Sequence, residues 1–85
     1  MIEHREEILE KLEAVYDIER ECFDVLTTKQ ARYLLYRTDH PEIEFMTFEA
    51  IGEYNNTSRQ SIEQCLSRGL KTLSKQDCFQ KRRKL

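Results

Sequence analysis

The stretch at 47–73, TFEAIGEYNNTSRQSIEQCLSRGLKTL, most constrains what this chain can fold into. In its second half Ile62, Cys65, Leu66, Gly69, Leu70 and Leu73 recur at three- and four-residue steps, the signature of a helix with one face turned to a core. Arg59, Gln60, Glu63, Gln64, Ser67 and Lys71 are left on the outward face. Asn55-Asn56 breaks the pattern, because asparagine enters the left-handed region at lower cost than most residues. Thr57 and Ser58 then offer side-chain oxygens to the first free amides of the new helix. Upstream, Ile51 supplies an apolar contact and Gly52 removes bulk where the second helix would cross. A short helix, a tight turn and a second helix with Arg and Gln on its exposed N-terminal face make a helix-turn-helix, whose second helix enters a major groove. Two packed helices with a solvated face is the plainer reading of the same spacing.

Eighty-five residues hold one modest core. A composition with two Gly and one Pro suits an all-α fold, a small bundle of about four helices. No apolar run reaches membrane-spanning length and the N-terminus lacks a leader pattern, so a cytoplasmic protein is expected. Cys22, Cys65 and Cys78 are an odd set with no close pair, expected to be apolar fillers or free thiols rather than metal ligands. The net charge of −2 conceals an internal polarity: residues 1–26 carry −6, 27–57 carry −2 and 58–85 carry +6. A basic third that begins at the second helix of the motif is the footprint of a phosphate-backbone binder. Attraction between the two ends of the chain, or between chains, is the plainer alternative, and the asymmetry favours nucleic acid.

Three regions follow from the chain in order. Residues 1–25 are expected to form an acidic amphipathic helix from residue 3 onward. Its stripe is Ile8, Leu12, Val15, Tyr16, Cys22, Phe23 and Leu26, with Glu19 as the polar intrusion. That stripe covers the domain's own core or pairs two chains as a homodimer. Residues 26–80 hold the helix-turn-helix domain. Within it Thr27 and Gln30 have the form of a capping box, with Leu26 and Ala31 as a hydrophobic staple. The helix that follows, to about Arg37, is expected to be the most buried. His40-Pro41 ends it. Glu42 to Met46 is an irregular connector that tucks Ile43, Phe45 or Met46 onto the core. Thr47 caps the next helix, whose contact face is Phe48, Ile51 and Tyr54. Residues 74–79 extend the last helix or fray, and 81–85 form a basic tail. No phosphate-cradling glycine loop, metal constellation or nucleophile beside a base is visible, so no enzyme, metal or cofactor is expected.

The segment 26–73 resembles the fourth conserved region of bacterial sigma factors. LTTKQARYLLYR is similar to its opening, and TFEAIGEYNNTSRQSIEQCLSRGLKTL matches its helix-turn-helix without a gap, including the Ile-Gly pair, Ser-Arg, Ile, Gln and a closing Leu-x-x-Leu. The resemblance covers a little over half the chain. It implies a four-helix domain that docks on the flap of RNA polymerase's β subunit and reads an upstream promoter element. By position, Arg59 and Gln64 match the family's residues for DNA contact. Gln60 stands where Glu is usual, yet Gln can read a base edge, typically adenine. Glu63 stands where a basic residue reading guanine is usual, which removes a contact and adds repulsion from phosphates. Asn55 and Thr57 are more polar than the family's turn.

The DNA-binding set expected from this reading is Ser58, Arg59, Gln60, Ser61, Glu63, Gln64, Arg68 and Lys71. The bases or adjacent phosphates fall to Arg59, Gln60 and Gln64, and the backbone to Arg68, Lys71 and the tail. Nothing here matches the part of a sigma factor that melts the promoter, so a detached fourth region or a small phage- or plasmid-type regulator is the implied setting. The competing expectation is a protein-interaction module that holds RNA polymerase or a partner sigma factor with little DNA contact. A second resemblance, to signal-recognition-associated helix-turn-helix proteins with the same LT-x-x-Q opening, points to RNA or the secretion machinery.

Overall fold

The computed structural model describes residues 4–41 and 43–78. Four α-helices follow one another, α1 (Arg5–Tyr16), α2 (Thr28–Tyr36), α3 (Phe48–Tyr54) and α4 (Arg59–Ser74), with a 3-10 segment (Arg20–Val25) between α1 and α2. No strand lies among the described residues, and no helix among them is long and apolar enough to cross a membrane. The small all-α bundle expected from the sequence is what forms.

The single helix expected over 3 to about 25 is in fact two pieces. Asp17 adopts a left-handed conformation (φ 55°, ψ 43°) and its N–H reaches the Glu13 carbonyl, which closes α1. Aspartate visits this region more readily than most non-glycine residues, and the reversal is short. The Glu13 carboxylate then accepts the Arg20 N–H at 2.9 Å, so one side chain bridges the end of α1 and the start of the 3-10 segment. The break turns Glu19 outward and brings Ile18 inside. Leu9 is buried beside Ile8 and Leu12, and Cys22, Phe23 and Leu26 complete this side of the core. The apolar stripe of α1 is thus spent on the domain's own interior. Arg5 ties the start of α1 to the far end of the segment through the Asp24 carboxylate and carbonyl.

The second helix is the hub. Thr27 and Gln30 form both bonds of the capping box, and the staple residues Leu26 and Ala31 are buried. Ala31, Tyr33, Leu34, Leu35 and Tyr36 are all buried, and α2 packs on both α1 and α4. Buried Thr38 donates its hydroxyl to the Leu34 carbonyl at 2.7 Å. Having only one hydroxyl proton, it accepts from Tyr16 Oη at 3.0 Å. Tyr16 also lies against Phe23, ring centroids 5.9 Å apart.

The connector to α3 is pinned rather than loose. The Met46 N–H donates to the Tyr36 carbonyl at 2.8 Å. The Arg37 guanidinium lies against the rings of both Phe45 and Phe48, at 4.7 and 4.3 Å from their centroids, and donates to the Met46 carbonyl. Of the three residues proposed to tuck inward, Ile43 is buried, Met46 is half-buried and Phe45 stays 48% exposed. Glu42 and the tail at 81–85 lie outside the described residues.

The cysteines correct the sequence reading. Cys22 and Cys78 are disulfide-bonded, with Cα atoms 6.3 Å apart, and only Cys65 is free. The bond joins the buried Cys22 of the 3-10 segment to the residues just past the turn that follows α4, and closes a loop that contains α2, α3 and α4. A pairing across 56 residues is made by tertiary approach and leaves no local spacing to read.

Candidate nucleic-acid interface

The helix-turn-helix is built as the sequence requires. Thr47 accepts the Ala50 N–H and caps α3. The Asn55 side chain donates to the Ile51 carbonyl at 2.8 Å, beside the Asn55 backbone N–H that the same carbonyl accepts at 3.0 Å. Asn56 has φ 55°, and the Thr57 N–H closes the turn on the Gly52 carbonyl at 2.8 Å. Ser58, not Thr57, is the residue that caps α4, accepting the Ser61 N–H at 3.2 Å. Gly52 is where the chain passes closest: a Cβ there would lie 2.8 Å from the Thr57 carbonyl oxygen. Replacing Asn56 by Ala is expected to cost about 1 kcal/mol, because alanine lacks the short polar side chain whose local hydrogen bonding lets asparagine occupy the left-handed region, while Asn56→Gly leaves stability unchanged or raised. Urea midpoints of the two variants against wild type measure this.

The inward stripe of α4 is Ile62, Leu66, Gly69 and Leu73. Cys65 is half-buried, and Leu70, counted with the core from its spacing, is 43% exposed. Tyr54 is likewise 56% exposed rather than part of the contact face of α3. For Leu70 the reason is length: a seven-residue α3 covers only part of the sixteen-residue α4. Leu70 therefore faces an open groove with Phe48 and Leu66, rimmed by Glu63 and Lys71.

The eight candidate contact residues fall into four groups. Ser58 and Ser61 sit at the start of α4, their hydroxyls 3.0 Å apart. Gln60, Gln64 and Lys71, with Ser67, are exposed and share the stripe opposite Ile62 and Leu66, an arc of roughly 60° at 3.6 residues per turn. Arg68 is exposed beside that stripe. Arg59 and Glu63 stand apart on the flank nearest α3. There Arg59 Nε donates to Glu63 at 3.0 Å and its Nη1 to Glu49.

This three-charge cluster, with a net charge of −1, is the feature the residue-by-residue reading missed. The Arg59–Glu63 pair is a helical i,i+4 spacing visible in the sequence. Glu49 joins it only through the crossing of α3 and α4. Hydrogen bonding to Glu63, then the charge of Glu49, raises the pKa of Arg59 above its usual value. The Glu49 carboxyl is held below its ordinary range by its own backbone N–H at the start of α3 and by the Arg59 charge. Further along, Arg68, Lys71 and Lys75 have no ion-pair partner among the described residues. Positive charge free to meet a polyanion thus lies on the C-terminal half of α4.

No family model, curated protein or solved structure matches this chain.

Proposed function

We propose that this protein is a DNA-binding transcription regulator of sigma region-four type, with α4 as the helix that enters the major groove and no catalytic role. One observation carries the reading. The tight crossing at Gly52 and the cap at Ser58 hold α4 so that its stripe of Gln60, Gln64, Ser67 and Lys71 projects clear of the rest of the fold. Helices that read base edges present their N-terminal side chains in this way, with cations further along to meet the backbone. Ser58 and Ser61 then hydrogen-bond phosphates, and Arg68 and Lys71 meet the backbone. The setting is the cytoplasm, beside RNA polymerase.

Titration of duplex DNA at several salt concentrations tests this. The logarithm of affinity should fall linearly with the logarithm of salt. Lys71→Ala should reduce that slope by about 0.9, the share of one phosphate contact, and weaken binding to all sequences alike. A slope unchanged by the substitution would remove Lys71 from the interface.

The open groove at Phe48, Leu66 and Leu70 favours a second reading, a module that holds RNA polymerase or a partner sigma factor. Recovery of the protein's partners with and without nuclease separates the two. A polymerase subunit or sigma factor retained after nuclease supports docking. Loss of every protein, with only nucleic acid recovered from the untreated half, supports a free-standing DNA binder or the RNA-binding alternative.

A further inference from the structure

We infer that the outward stripe of α4 is set to read A·T base pairs through Gln60 and Gln64, and that Arg59 is a counterion to Glu49 and Glu63 rather than a reader of guanine. The inference rests on the DNA-binding reading above and names the class of duplex it takes.

The two glutamines are exposed and have no hydrogen-bond partner among the described residues. They lie one helical turn apart on the side opposite the core, about 6 Å along the axis, which places them within two base-pair steps of each other. A glutamine amide carries a donor and an acceptor side by side. Adenine offers the complement in the major groove, N7 accepting and N6–H donating, whereas guanine presents two acceptors there and leaves the amide oxygen facing one of them. Each such bidentate contact discriminates by about 5- to 150-fold.

Arginine reads guanine with two parallel N–H donors. Nε and Nη1 of Arg59 are already given to two different carboxylates, and the residue lies roughly 100° around the helix from Gln60. Opening exposed ion pairs costs little by itself. Doing so here, however, would also leave Glu49 and Glu63 uncompensated against phosphates. The arginine therefore contributes by keeping that flank from repelling DNA. Loss of Arg59 should weaken binding to every duplex without changing which bases are preferred.

The test uses the full chain and a library of randomised duplexes, followed by affinity measurements with Gln64→Ala, Arg59→Ala and the triple variant Arg59→Ala/Glu49→Gln/Glu63→Gln. Thermal melts confirm that each is folded. Two A·T pairs within two steps of each other should be enriched, and Gln64→Ala should lose about 5- to 150-fold of preference at one of them. Arg59→Ala should bind all duplexes less tightly with the same ranking, and the triple variant should recover to within about fivefold of wild type. Enrichment of G·C at those positions, a ranking changed by Arg59→Ala, or no recovery in the triple variant each overturns the inference while leaving DNA binding in place. Retention of no duplex at all overturns it together with the reading beneath it.

Discussion

Cys78→Ser, or reduction of the wild-type protein, should lower the melting temperature by about 15–30 °C. The bond from Cys22 to Cys78 closes a loop spanning 56 positions. In the chain-entropy account, a cross-link of that span destabilises the unfolded state by about 4 kcal/mol. In a domain of this size each kcal/mol moves the midpoint by about 4–8 °C. Cys78 is the cysteine to change, because it is exposed whereas Cys22 is 3% exposed within the core. Serine at 22 would add the cost of a buried hydroxyl. Reductant should lower the midpoint of wild type and leave Cys78→Ser unmoved, and the denatured, oxidised protein should react as a single thiol, Cys65. Three reactive thiols, or a wild-type midpoint indifferent to reductant, would show that the two sulfurs are not joined. A reducing compartment keeps such bonds open, and there the end of α4 would be held to the 3-10 segment by packing alone.

The elements that could be read from the sequence are those whose determinants are local. The Thr27/Gln30 capping box, the break at Asn55-Asn56 and the caps at Thr47 and Ser58 each need only neighbouring side chains and backbone, and each stands where the residues place it. The stripe of Ile62, Leu66, Gly69 and Leu73 follows from period alone. What could not be read depends on other elements. Asp17 ends α1 within a pattern that continues through Tyr16 to Phe23, so the periodicity concealed the break. Leu70 and Tyr54 have core spacing but no helix above them. Arg37 became the pin of the connector only because Phe45 and Phe48 both arrive against it. In the candidate site, the composition of the exposed face was legible and its electrostatics were not. Arg59 belongs to that face by helical count, but Glu49, ten residues away, neutralises it through the crossing of α3 and α4.

That crossing is the point at which a single methyl group should matter most. Gly52→Ala is expected to cost about 2 kcal/mol and lower the midpoint by about 8–16 °C, although alanine is the better helix former by about 1 kcal/mol. The new Cβ would stand 2.8 Å from the Thr57 carbonyl oxygen and 3.5 Å from the Arg59 nitrogen. Both neighbours are backbone and have no rotamer through which to escape. Relief requires α4 to move away from α3 or the Gly52–Thr57 hydrogen bond to lengthen, a strain of the kind that costs 1–3 kcal/mol in well-packed interiors. Gly69→Ala is the internal control. Its Cβ would meet Cβ, Cγ and Cδ of Gln30 at 3.0 to 3.2 Å. The outer two atoms can rotate at the expense of the capping box, while the Gln30 Cβ is relieved by a shift of a few tenths of an ångström between α2 and α4. With helix propensity as an offset, the loss should be smaller than in Gly52→Ala. Urea and thermal melts of the pair measure the difference. Any outward movement of α4 in Gly52→Ala also separates Arg59 from Glu49, so under the DNA-binding proposal its affinity should fall even at temperatures where the variant is fully folded. A Gly52→Ala protein at least as stable as wild type would show that α3 and α4 do not approach as closely as the Gly52–Thr57 contact requires. The projection of α4 proposed for groove reading would then lose its structural basis.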